Sequence, residues 1–202
     1  MAYAEGFRPQ PETAIAARRS ALALGLTPVT PGVATLLTVL AKSIAAKHVV
    51  EIGTGAGVTG LALFGGMTAN GVLTSVDADH ESQATARRNF TAAQVPSRRF
   101  RLIAGQALDV LPKLSDGAYD LVLVNGDKLE YGEYVAQALR LLRPGGLLVV
   151  NNALWGNRIA DPDNHEDETI VIREALGAVQ EIESLTAALT PVGDGVLLAA
   201  KS

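Results

Sequence analysis

The sequence predicts an α/β fold built on a mostly parallel sheet with helices on both faces. Three observations carry this. After residue 47, short apolar runs alternate with segments of helical spacing. The runs are apolar on successive residues, as strands buried on both faces require. The last two strand signals, "LTAALTP" and "GVLLAAK", have only a turn between them, so an antiparallel pair should close one sheet edge.

The elements follow in order. Residues 13–46 read as two helices parted at "TPVTPG", since Pro28 and Pro31 cannot sit inside a helix. "HVVEIG" is a first strand and "TGLALFGGM" its helix. "GVLTSVDAD" is a second strand, opened by Asn70 and Gly71 and closed by acids. "HESQATARRNFTAAQ" is helical, with Asp79 or His80 placed to cap it. "RRFRLIAG" is a third strand, "QALDVLPKL" a short helix and "AYDLVLVNGD" a fourth strand. "LEYGEYVAQALRLL" puts Tyr131, Tyr134, Val135, Ala138, Leu141 and Leu142 near one helix face, and "RPGG" stops it. "GLLVVNNALW" is a fifth strand and "DETIVIREALGAVQEI" a helix. No internal repeat, low-complexity tract or linker interrupts the chain. We expect one domain over 1–202, with N-terminal helices over 1–46 and the core over 47–202.

Bulk properties narrow the function. The 202 residues are 48% hydrophobic and 19% charged, a globular balance. A formal net charge of −4 gives no general attraction for nucleic acid or an anionic membrane. The pairs Arg18–Arg19, Arg87–Arg88 and Arg98–Arg99 fall on separate elements and read as solvated faces. The absence of cysteine excludes disulfides, thiolate metal sites and thiol catalysis. No apolar run approaches a membrane span, and the first twenty residues lack a signal-peptide layout. The expectation is a cytoplasmic protein.

Two stretches carry chemistry. "EIGTGAGVTG" places Gly53, Thr54, Gly55 and Gly57 after the first strand. Glycine permits a tight turn and close approach of a ligand, and free N–H groups at the next helix then face it. The G-x-G-x-G spacing differs from the G-x-G-x-x-G of dinucleotide sites, and no P-loop lysine follows. Asp77 ends the second strand about 20 residues on, where α/β folds bind a ribose diol through a carboxylate. The pair points to a nucleoside ligand without choosing among adenosine compounds. The second stretch is "LVLVNGDKLEY". Asn-Gly between apolar runs is a hairpin signal. Helical spacing after Gly126 instead favours a strand-to-helix crossover, whose loop would lie at the ligand-binding end of the sheet.

Together, "VVEIGTGAGVTGLAL", "GVLTSVDAD", "GQALDVLPKL", "YDLVLVNGDKLEY", "LLRPGGLLVVNNALWGNRIADP" and "PVGDGVLLAAK" resemble the catechol-type, cation-dependent O-methyltransferases that use S-adenosylmethionine. The resemblance runs in order from about Thr27 to Lys201. It implies a Rossmann-like, seven-stranded sheet with a reversed C-terminal hairpin, and a homodimer. It also implies cofactor roles. Glu51 and the Gly53–Gly57 loop, including Thr54, would line the methionine end, and Thr59 would contact its carboxylate. Val29 would lie against the cofactor. Asp77 would hold the ribose, and Ala78, Gln106 and Ala107 would lie near the adenine. Asp127 would face the cofactor.

In that family the catalytic segment opens with a metal-binding Asp and carries a lysine able to act as general base. Here Asn125 replaces the Asp, while Lys128 stands at the lysine position. The family's second metal segment, Asp-Asn, is Asn151–Asn152 here. Mg²⁺ usually keeps one or two carboxylates, so Asn125, Asn151 and Asn152 should hold it weakly or not at all. Lys128 remains a candidate base, or else a solvated helix-start lysine or a partner of Asp127 or Glu130. The three amides remain able to bind a substrate hydroxyl. Trp155, the sole tryptophan, is placed to stack on a planar acceptor or to serve as a rim residue. His48 and His80 read as structural, and the acidic "DPDNHEDE" around His165 as a solvated loop. The expected activity is methyl transfer to a small phenol- or catechol-like hydroxyl. The alternative is a degenerate protein that binds the cofactor without catalysis.

Overall fold

The computed structural model describes residues 2–202. A short helix α1 (Ala2–Glu5) precedes α2 (Glu12–Ala23) and α3 (Pro31–Ser43). The core then runs β1 (His48–Ile52), α4 (Val58–Gly66), β2 (Val72–Asp77), α5 (His80–Ala92), β3 (Phe100–Ala104), α6 (Ala107–Val110), β4 (Tyr119–Val124), α7 (Tyr131–Leu141), β5 (Leu142–Asn151), α8 (Asp167–Gln180), β6 (Leu185–Thr190) and β7 (Val196–Lys201). The seven strands form one sheet in the order β3-β2-β1-β4-β5-β7-β6. The pairings from β3 through β5 are parallel. β7 pairs antiparallel with both β5 and β6, which gives the expected reversed edge.

Strand alternation divides the core into two layers. Val49, Leu121, Leu123 and Val149 point to the face covered by α2–α5. Val50, Ile52, Val122, Val124, Leu148 and Val150 point to the face covered by α6–α8. All ten side chains are essentially fully buried. This is why β1, β4 and β5 read as continuous apolar runs. The N-terminal helices close one layer: Val33, Leu37 and Ala41 of α3 pack in the same cluster as Leu63 and Phe64 of α4.

Several boundaries differ from the sequence reading, each for a local reason. α1 is a four-residue helix, too short for a periodic signal. Pro31 does not merely break the chain. It opens α3 at the first helical position, where its missing N–H has no partner to lose, behind the Thr30 cap. "RPGG" ends no helix alone, since β5 begins at Leu142 and passes through it with a shift in register against β4. β5 also stops at Asn151, so the "NALW" stretch is loop. Leu142 is buried as a strand residue. Residues 97–99 form a 3₁₀ turn before β3.

Candidate active site

The C-terminal ends of β1, β2, β4 and β5 lie along one edge of the sheet, and their loops meet there. Gly53 leaves β1 with φ +91°. A Cβ at Gly53 would strike the backbone carbonyl of Asn125 in the loop after β4, so only glycine lets the two loops touch. The Gly53 N–H donates to the Val76 carbonyl at 2.8 Å, and the Asn125 N–H to the Ile52 carbonyl at 2.8 Å. At Gly55 (φ +48°) a Cβ would meet nothing closer than Leu26 Cδ1 at 3.7 Å, so this residue faces open space. Asp77 anchors the loop from β2, accepting from the Gly55 N–H at 2.9 Å and from the Asp79 N–H at 2.9 Å.

Beneath the loop lies a buried polar chain. Glu51 has no exposed surface. Its carboxylate accepts from the Thr59 hydroxyl and from the Ser75 hydroxyl, the latter at 2.5 Å. Ser75 shares a 2.6 Å hydrogen bond with Thr54, which accepts from the Gln83 amide at 2.9 Å. Burial pushes the Glu51 carboxyl up to about 7, against the pull of its hydroxyl donors. Glu51 therefore props the loop from below, with its carboxylate turned to Thr59 and Ser75.

The acceptor-side residues gather at the ends of β4 and β5. The Asn151 amide donates to the side-chain oxygens of Asn125 and Asn152, each at 2.8 Å. Asp127 caps the 3₁₀ turn at 128–130 by accepting from the Leu129 N–H at 3.0 Å. Lys128 folds back so that Nζ donates to the Gly126 carbonyl at 3.0 Å. The ammonium lies 4.8 Å from the Tyr131 ring centre and 6.0 Å from that of Trp155. Desolvation lowers the Lys128 pKa to about 8, and Asp127 and Asp194 oppose it. Tyr131 is fully buried, and its hydroxyl donates to the Asn151 carbonyl at 2.9 Å. Trp155 has φ +49°, and its buried indole N–H has no partner.

Two adjoining cavities join these parts. One, of about 670 Å³, is lined by Val29, Gly53, Thr54, Gly55, Gly57's neighbours Ala56 and Val58, Thr59, Asp77, Asn125, Asp127, Lys128, Asn152 and Trp155. The second, of about 310 Å³, is lined by Ala78, Gln106, Ala107, Glu130 and Tyr134. Gly53, Asp77, Gly126 and Asp127 border both. The structure thus brings together nearly every residue singled out from the sequence. Glu51, Gly57 and Asn151 stand behind the walls. A separate groove of about 640 Å³ between α2, α3 and α4 collects none of them.

Sequence reasoning missed Asp194, Tyr131 and the Ser75–Gln83 support. The one available signal was "GDG", an acid between two glycines in the β6–β7 turn. The histidines are peripheral. His48 opens β1 and His80 opens α5, both exposed, and Asp79 supplies the α5 cap. His165 is exposed in its loop. Among the described residues, no group of three or more His, Cys, Asp or Glu side chains could hold a metal ion, and no helix is long and apolar enough to cross a membrane.

Known proteins share this fold. A family model described as O-methyltransferase matches residues 17–202. The "Probable O-methyltransferase Rv1220c" of Mycobacterium tuberculosis is 45% identical over 200 residues, covering 99% of this chain and 89% of that protein. A solved Corynebacterium glutamicum protein superposes with TM-score 0.93 at 30% identity, over 99% of this chain and 94% of that one. The O-methyltransferase TomG of Streptomyces achromogenes, solved with SAM and involved in tomaymycin synthesis, gives TM-score 0.87 at 26% identity, over 96% and 91%. The seven-stranded Rossmann-like sheet is shared with these structures, and the chain belongs to the O-methyltransferase family.

Proposed function

We propose that the protein is an S-adenosylmethionine-dependent O-methyltransferase for a small phenol- or catechol-like hydroxyl, acting without a tightly held divalent metal. The observation that carries this reading is the double cavity hinged at Asp77. Its larger lobe has the glycine loop at one wall and Lys128, Asn152 and Trp155 at the other. A nucleoside joined to an amino acid fits such a shape. Gly55, whose missing Cβ leaves the cradle open, and Thr59 would take the methionine end. Asp77 would take the ribose, and Ala78, Gln106 and Ala107 the adenine. Val29 would cover the larger lobe. When bound, the cofactor supplies an electrophilic methyl on a sulfonium.

The chain's own residues would do the rest. Holding the acceptor oxygen in line with the methyl supplies much of the rate. Lys128, partly desolvated and with its pKa lowered to about 8, would accept the hydroxyl proton in its neutral form. Asn125 and Asn152 would orient the hydroxyl. The donor set does not suit Mg²⁺. Three neutral amides stand at its centre, and two of their oxygens face the Asn151 N–H₂ group. The nearby acids are engaged with backbone N–H groups, Asp127 at Leu129 and Asp194 at Gly156. Tyr3 (83% exposed) and Phe7 (74%) on the N-terminal segment would suit a homodimer contact, which light scattering would measure.

The test is a screen of phenols and catechols with methyl-labelled cofactor, with and without chelator. Label transfer that survives chelation is expected. Transfer abolished by chelator and restored by Mg²⁺ would refute the metal-free reading. Calorimetry that detected NAD but not S-adenosylhomocysteine would overturn the cofactor assignment.

A further inference from the structure

Trp155 is a bulky residue in the left-handed backbone region, where a side chain is strained. It is not alone. Asn152 (φ +54°), Gly156 (+63°) and Asn157 (+65°) share that region within six residues. A loop so contorted persists only when its surroundings over-determine it. The surroundings here are the β6–β7 turn. The Asp194 carboxylate accepts from the Gly156 N–H at 2.7 Å and from the Asn152 amide at 3.4 Å. The Asp194 carbonyl accepts from the Leu154 N–H at 2.9 Å, and the Gly195 carbonyl from the Ala153 N–H at 3.0 Å. Gly195 lies against Leu154 so closely that a Cβ there would collide with it. One acid thus grips both sides of Trp155, and the gripped indole forms part of the cavity wall with Lys128. The indole N–H is buried with no partner, so the ring is held by packing and by the loop that carries it.

We propose that Asp194 is a positioning residue for the acceptor: it clamps the 152–156 loop so that Trp155 stands as a fixed wall against the bound acceptor. This rests on the methyl-transfer reading above for the identity of the ligand, and on the loop geometry for the clamp. Asp194 itself touches neither cofactor nor reacting atoms.

Because Trp155 is the only tryptophan, its fluorescence reports the clamp directly. The wild type, Asp194→Asn and Asp194→Ala are compared as folded full-length proteins, by emission maximum and acrylamide quenching. Asparagine keeps an oxygen for the Gly156 N–H, so D194N should match the wild type. D194A should shift emission to the red and quench roughly twofold more steeply, because the freed indole meets water. If D194A does not fold, Asp194→Ser, whose shorter side chain falls short of Gly156, takes its place. In the activity assay, D194A should raise the KM of the best acceptor from the screen roughly tenfold or more, with S-adenosylhomocysteine affinity unchanged. Unaltered emission, quenching and acceptor KM in D194A, or in D194S where it is substituted, would overturn the proposal. If wild-type protein binds no S-adenosylhomocysteine, the methyl-transfer reading fails instead, while the fluorescence series still decides the clamp.

Discussion

The two walls of the larger cavity are built differently. The wall after β1 is made of backbone: a glycine loop, fixed by main-chain hydrogen bonds and by Asp77, over a buried network from Glu51 to Gln83. The wall after β4 and β5 is made of side chains: Asn125 and Asn152 backed by Asn151, a lysine folded over a carbonyl and a tryptophan held in a strained turn. A backbone wall offers the same donors whatever the neighbouring side chains do, which suits a ligand common to a whole family. A side-chain wall can be re-specified one residue at a time, which suits an acceptor that varies. The difference predicts where single substitutions will be severe.

The largest effect should fall on the side-chain wall. Lys128→Met removes the proposed base and should lower kcat by about 10²–10⁴-fold, the usual scale of general-base catalysis. Wild-type kcat should rise as pH passes about 8, where the amine becomes neutral, and this limb should vanish in the variant. A pH–rate profile checks both, and an unchanged limb would move the base elsewhere. On the backbone wall, Asp77→Ala should weaken S-adenosylhomocysteine binding by roughly 1–3 kcal/mol, the scale of unpaired buried polar groups. Calorimetry reads this directly, and unchanged affinity would take Asp77 out of the site. Restoring charge sharpens the contrast further: the double variant Asn125→Asp, Asn151→Asp should gain a melting-temperature increase in Mg²⁺ that the wild type lacks.

The smallest effect concerns Glu51. Its folded pKa is raised from 4.5 to about 7, so the folded state holds a proton that the unfolded state has released. Stability from this group is complete below pH 4.5 and is lost as pH rises through about 7. Glu51→Gln should remove that loss, gaining roughly 1–3 kcal/mol at pH 8 relative to pH 4 when each is compared with wild type. Denaturant unfolding at the two pH values measures it. An equal effect at both would mean that folding does not raise the Glu51 pKa.

These contrasts also explain what could be read in advance. The glycine loop and Asp77 were legible because their geometry is local: spacing along β1–α4 and a strand end at β2 fix them. Asn125, Lys128 and the Asn151–Asn152 pair were legible for the same reason, as strand ends on one side of a parallel sheet. Asp194 was not. It reaches Asn152 only because β7 inserts antiparallel beside β5, with Asn151 opposite Val196, a pairing that spans more than forty residues. The resemblance puts Glu51 beside the cofactor, but nothing in the local sequence says that Thr59 and Ser75 will donate to its carboxylate. α1 escaped because four residues carry no period.

The contact between Gly53 and Asn125 has a consequence for how such sites diversify. What presses on the glycine is the Asn125 main-chain carbonyl, while its side-chain oxygen turns toward Asn151. The two halves of residue 125 therefore answer to different masters. Its peptide group is bound to the rigid geometry of the neighbouring loop, and its functional group is not. A carboxylate can be exchanged for an amide at that position without disturbing the cradle next door, so acceptor chemistry can drift while the methyl-donor platform stays in register.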